Sequence, residues 1–237
     1  MIELEGVRFG YDRDAPVLAG VDLRLGPGLT LLVGPNGCGK SSLLKLLAGV
    51  ERPDAGRVLL LGRDLWRDEV AARRGLAYVP EHPDVTPYAS ILELLWLVCR
   101  LRGEPLERAG AALREAGLEG RGNASVRELS AGQRRRALLA AAWIGTPSVA
   151  LLDEPLESLD RELRDRVLRW IGALAAGGAA AVVVSHQLEP FAPLAAAALT
   201  VREGRALGCA LPADASARLA LLERLARGGA VGAETPC

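Results

Sequence analysis

The chain has 237 residues, half of them hydrophobic and 24% charged, enough to bury an ordinary core without disulfide or metal support. Its 29 basic and 29 acidic side chains cancel and are interleaved along the sequence, which argues against a nucleic-acid binder, usually marked by a basic excess or stripe. The four cysteines, Cys38, Cys99, Cys209 and Cys237, lie far apart and form no C-x-x-C pair, so neither a disulfide framework nor a zinc site is expected.

Glu3 and Glu5 stand where a secretory leader would be basic or apolar, so no targeting segment is expected. The uncharged stretch Ile171 to Val184 contains three glycines and falls short of the ~18–20 residues that cross a bilayer. A soluble, cytoplasmic chain is expected. Short β-like runs at Ile2-Glu3-Leu4, Val17 to Leu25 and Leu29 to Val33 alternate with turns at Gly10-Tyr11-Asp12 and Gly26-Pro27-Gly28. A helix follows and stops at Gly49, a left-handed cap. A turn at Pro53-Asp54-Ala55-Gly56 leads into a strand from Arg57 to Leu61, and Gly75 to Val79 is another, ended by Pro80.

From about Val85 to Ser130 the pattern turns helical. Ser90-Ile91-Leu92-Glu93 reads as a capping box opening one helix, and Leu106 to Ala116 reads as a second, ended near Gly117. Ser148 to Leu152 and Ala179 to Val184 are fully apolar strands, with a helix from Arg161 to Leu174 between them. That βαβ rhythm predicts a right-handed parallel core. Asp214 to Arg227 is a leucine-rich helical tail that packs on the body.

The segment Gly34-Pro35-Asn36-Gly37-Cys38-Gly39-Lys40-Ser41-Ser42 joins the strand ending at Val33 to the following helix. This context makes G-x-x-x-x-G-K-[ST] a phosphate loop: glycines let successive N–H groups face one concavity, at the positive end of a helix. Lys40 is placed to reach the β- and γ-phosphates and Ser41 to hold Mg²⁺. Cys38 is either a small residue filling a tight turn or a redox-sensitive position. Val149-Ala150-Leu151-Leu152-Asp153-Glu154 is an apolar strand ending in two acids. Asp153 suits hydrated Mg²⁺, and Glu154 is placed to orient or deprotonate an attacking water.

The remaining features resemble the ATPase subunits of ABC transporters. Leu129-Ser130-Ala131-Gly132-Gln133 looks like the family's signature segment, Ser158-Leu159-Asp160 like its D-loop, and Val182-Val183-Val184-Ser185-His186 like its switch strand. Tyr11 resembles the aromatic that stacks on adenine, and Tyr78-Val79-Pro80-Glu81 occupies the Q-loop position. The resemblance runs from about residue 2 to residue 208. It implies an α/β fold: a P-loop NTPase parallel-sheet core, an N-terminal antiparallel β subdomain and an inserted α-helical subdomain over about 82–145. The whole of 1–237 would be one such domain, with a helical tail over about 212–237.

The resemblance also implies ATP and Mg²⁺ as cofactors, with Ser41, Glu81 and Asp153 toward the metal and Glu154, Lys40 and His186 in catalysis. A second ATPase subunit would present its signature, Ser130, Ala131, Gly132 and Gln133, across a head-to-tail dimer, and Asp160 of the D-loop would also serve nucleotide binding. A separate transmembrane permease would carry the substrate, tying the chain to the cytoplasmic face of the membrane only through that partner. Two departures stand out. Ala131 replaces a glycine, a small cost in helical geometry and about 1 kcal/mol if φ must be positive. Glu81 replaces a glutamine, which alters metal affinity or coupling. The LSAGQ wording is also similar to haem-exporter ATPases of cytochrome c maturation, a tilt toward export. The rival readings are a soluble ABC-type ATPase acting on DNA or the ribosome, and a regulatory ATP-binding subunit with impaired turnover. The run Arg134 to Arg136 is either a solvated helix face or a group near the nucleotide or the partner.

Overall fold

The computed structural model describes residues 1–12, 15–82 and 87–229. The expectations that fall on Val85, Cys237 and the end of the tail lie outside the described residues. Two sheets organise the molecule. An antiparallel sheet, in the order β2-β1-β4-β5, is built from β1 (Ile2–Phe9), β2 (Leu18–Leu25), β4 (Ala55–Leu60) and β5 (Arg63–Asp64). The larger sheet has the order β10-β9-β3-β8-β7-β6, using β3 (Gly28–Val33), β6 (Leu76–Val79), β7 (Val149–Asp153), β8 (Ala180–Val184), β9 (Ala195–Arg202) and β10 (Arg205–Ala210). Strands β9, β3, β8, β7 and β6 pair in parallel, and only β10 runs against its neighbour.

Every residue of β7 and β8 is buried, as their unbroken apolar runs require of strands covered on both faces. Their side chains divide by the two-residue strand period. Ala150, Leu152, Ala181 and Val183 face the core shared with α3 (Ile91–Arg102), α4 (Glu107–Glu115), α5 (Ala131–Ala142), α6 (Arg161–Ala176) and α7 (Ala215–Ala226). Val149, Leu151, Ala180 and Val182 face a second core made with α1 (Lys40–Ala48) and the antiparallel sheet. Leu222 and Leu225 of α7 are buried in the first core, so the tail helix packs on the body.

The caps agree with the sequence. Ser90 Oγ accepts from the Glu93 N–H at 3.2 Å, and the Glu93 carboxylate accepts from the Ser90 N–H at 2.8 Å, closing the capping box on α3. Gly49 ends α1 at φ 70°, the left-handed geometry glycine adopts most easily. Some elements differ from expectation. Strand β1 continues to Phe9 because Gly6, at φ 58°, lets the chain bulge and resume its pairing with β2. The short β5 and α2 (Glu69–Arg73) were not expected. Neither was the β9–β10 hairpin: Ala195-Ala196-Ala197-Ala198 has little strand propensity, and tertiary pairing to β3 overrides it.

Candidate nucleotide site

Strands β3, β7 and β8 end together on one edge of the sheet because they are parallel and in close register, with Asp153 opposite Val184. That edge is where loops converge in an open α/β sheet. The loop after β3 leads directly into α1, whose first residue is Lys40. Gly39 takes φ 106°, and a Cβ there would sit 2.8 Å from Val17 Cγ1, so both conformation and space require glycine. The Lys40 ammonium donates to the carbonyls of Gly34 and Pro35, each at 2.8 Å.

A cleft of about 480 Å³ lies over this edge, lined by Tyr11, Asn36, Gly37, Gly39, Lys40, Ser41, Ser42, Glu81, Asp153, Glu154 and His186, together with Val17 and Val184. Eleven sequence-selected residues thus share one cavity. Tyr11 is 64% exposed, stands edge-on to Phe9 at 5.0 Å between ring centroids, and approaches Ser42 Oγ with its hydroxyl at 3.5 Å. The open ring face suits stacking by a purine. Gly34, Pro35 and Cys38 form the loop but lie outside this lining; Pro35 and Cys38 instead wall a cleft shared with Thr200 and Gly228.

The two strand-tip acids are held differently. Asp153 is 4% exposed; burial pushes its carboxyl above the usual range, against a hydrogen bond from the Ser41 hydroxyl that favours the charged form. Glu154 sits just past the strand at φ 47°, an uncommon conformation for a side chain larger than glycine. Its carboxylate accepts from the Ser185 hydroxyl at 3.0 Å and from the His186 N–H at 2.8 Å. Burial raises its pKa as well, while those two bonds lower it. The His186 Nε2 lies 3.8 Å from the same carboxylate, on a ring that is 69% exposed.

Ser130, Ala131, Gly132, Gln133 and Asp160 do not line the cleft. Ser130 caps α5: its Oγ accepts from the Gln133 N–H at 3.2 Å, and Gln133 Oε1 accepts from the Ser130 N–H at 3.0 Å. Ala131 is the first residue of that helix and is not among the residues at positive φ, so its methyl carries no conformational cost. A Cβ on Gly132 would lie 3.5 Å from the Ser158 carbonyl oxygen, which puts the signature segment against the D-loop. Asp160 caps α6 through the Leu163 N–H at 3.0 Å and pairs with the Arg136 guanidinium.

Two groups were missed as site residues. Ser185 was read only as part of the switch strand, yet its hydroxyl holds the Glu154 carboxylate. Arg135 is 5% exposed and points inward to the same strand tips. Its burial was legible in principle, since residues 135, 139 and 142 fall on one face of α5 and all are buried.

A phosphate loop facing paired acids across the edge of a parallel sheet defines a P-loop nucleoside-triphosphatase. The chain belongs to the ABC transporter family, whose model matches residues 18–157. It is 38% identical over 190 residues to the cytochrome c biogenesis ATP-binding export protein CcmA of Xanthomonas campestris pv. campestris (strain 8004), covering 79% of this chain and 88% of that one. It is 33% identical over 216 residues to the Nod factor export ATP-binding protein I of Burkholderia thailandensis, covering 89% of this chain and 71% of the relative. The fold matches the ATP-binding subunit of an ABC transporter at a TM-score of 0.79 and 25% identity, covering 89% of this chain and 90% of that one. It also matches the dimeric post-hydrolysis ATP-binding cassette MJ0796, bound to ADP and Pi, at 0.73 and 22%, covering 86% and 96%. The chain is an ATP-binding, ATP-hydrolysing subunit that powers transport. Among the described residues, no helix is long and apolar enough to cross a membrane.

Proposed function

We propose that the chain hydrolyses Mg²⁺-ATP at a site completed by a second ATPase subunit, and that the cycle drives a separate transmembrane permease. The observation that carries this reading is the partition of the sequence features. Phosphate loop, strand-tip acids and His186 share one cleft, whereas the signature segment opens a helix outside it. A helix start that lies outside its own chain's cleft is suited to a phosphate brought by another chain.

The residues fit a magnesium ion. Ser41 and Asp153 are already hydrogen-bonded oxygen donors, and Glu81 lines the same cleft. Among the described residues no cluster of three metal-binding side chains occurs. Few protein ligands are what Mg²⁺ needs when phosphate and water supply the rest. When bound, the ion would neutralise charge on the β- and γ-phosphates. Lys40 would exchange the Gly34 and Pro35 carbonyls for phosphate oxygens, and Tyr11 would stack on the base. Glu154, held by Ser185 and the His186 backbone, would orient and deprotonate water, with a basicity raised by burial toward the working pH. His186 would contact the γ-phosphate.

Residues 1–237 then form one ABC-type domain, with a helical subdomain over about 82–145 and a tail over about 212–237. The groove beside Glu81 would receive a cytoplasmic helix of the permease, placing the chain on the cytoplasmic face through that partner. The relatives' names favour export. The deciding experiment is gentle purification from native membranes, followed by mass spectrometry. A polytopic membrane protein in near-stoichiometric amount supports the reading. Only ribosomal or DNA-repair partners would overturn it.

A further inference from the structure

Arg135 lies on the second turn of α5, five residues after the signature Ser130. Its guanidinium is buried, and its hydrogen bonds go to main-chain carbonyls on two other segments. Nη1 donates to Pro80 at 2.5 Å and more distantly to Glu81 at 3.5 Å. Nη2 donates to Asp153 at 2.9 Å and also to Glu154. One cation therefore bridges the end of β6 to the end of β7, at the two points where those strands release Glu81 and Glu154 into the cleft.

Burying a guanidinium costs several kcal/mol unless its donors and charge are matched. Carbonyl oxygens match the donors, and the surrounding acids Glu157, Asp153, Glu154 and Glu81 match the charge. A residue needed only for packing would be apolar at this position, like Leu139 one turn further on, which is fully buried. The planar fork suits the role, since its donors diverge in fixed directions and hold two carbonyl pairs at a set separation. The Asp153 and Glu154 carbonyls, one of those pairs, flank the Glu154 Cα, which takes the positive φ from which its side chain departs.

We infer that Arg135 is a positioning residue for hydrolysis, fixing the Glu154 backbone and the Pro80–Glu81 turn relative to one another from the signature helix. It does not line the cleft. Because Ser130 caps the same helix, displacement of the signature segment moves the guanidinium and with it the base. The inference rests on Glu154 acting in hydrolysis, as proposed above.

The test compares wild type with Arg135→Ala, Arg135→Gln and Arg135→Lys in the full chain. Turnover is divided by the ATP bound at equilibrium in the same preparation, so that loss of folded protein cancels. The expected result for Arg135→Ala is a fall in kcat per bound nucleotide of about tenfold or more, with KM within about threefold, because small misplacement of a reacting group is expensive. Arg135→Lys should recover part of the rate, since an ammonium reaches one or two of the four carbonyls, and Arg135→Gln should recover less. If the alanine variant does not fold, the lysine and glutamine variants carry the same comparison. Turnover per bound nucleotide within twofold of wild type in every variant overturns the inference alone. A wild-type chain that binds ATP and does not hydrolyse it overturns the catalytic reading, and this inference with it.

Discussion

At the residue scale, the acids at the strand tip decide the chemistry. Glu154→Gln keeps an amide oxygen for the His186 N–H, turns the Ser185 hydroxyl into an acceptor for the amide NH2, and removes the proposed base. Steady-state turnover should fall about 10²–10⁴-fold while ATP still binds. The same substitution should stabilise the fold at neutral pH. Burial raises the carboxyl pKa of Glu154 and Asp153 in the folded chain, so the folded state holds protons that the unfolded state releases. Stability therefore declines as pH rises from the ordinary carboxylate range, about 4, through the raised values. Melting curves of Glu154→Gln should lie above wild type at pH 7.5, with the gap closing near pH 4. A gap that widens on acidification would contradict the burial argument. Glu81 adds a third negative charge beside Asp153. Glu81→Gln should raise the Mg²⁺ concentration needed for half-maximal turnover, and an unchanged Mg²⁺ titration would show that the carboxylate stands clear of the ion.

At the scale of elements, arginines at helix–sheet junctions, Arg135 buried and Arg102 half-buried, fasten the helices to the sheet. Arg102, at the end of α3, donates to the carbonyls of Ala141 and Ala142 at the end of α5, of Ile144 just past it, and of Leu76 on β6, at 2.5 to 3.3 Å. Arg102→Ala would take this donor from carbonyls that are partly buried, a cost of about 1–3 kcal/mol. A urea midpoint should register the loss while KM for ATP stays near wild type. The opening of α5 behaves differently. Ala131→Gly should leave turnover within twofold, because Ala131 already holds helical geometry. Most of this level was legible. Apolar runs, the Ser90 capping box and Gly49 are local signals, and each stands where the sequence put it. The β9–β10 hairpin was not legible, since four alanines carry no period and pairing with β3 comes from distant sequence. Arg135 was hidden for a related reason: three adjacent arginines look alike until helix phase turns one inward. The pairing of the two acids with the phosphate loop was legible because strand, loop and helix announce it together.

At the scale of the whole molecule, the proposed dimer predicts its own assay. Glu154→Gln with ATP and Mg²⁺ should double in mass by light scattering, and the pair should dissociate when nucleotide is removed. A monomer at saturating ATP would speak against a shared site. The separation of Ser130 from the cleft of its own chain also has a genetic consequence. In the proposed dimer of two copies, each would lend its helix start to the other and borrow one in return, so a defect there would not be private to the copy that bears it. Cells carrying one intact allele and one Ser130→Phe allele should lose more than half of their transport. The altered allele would act as a dominant poison, graded by its dosage.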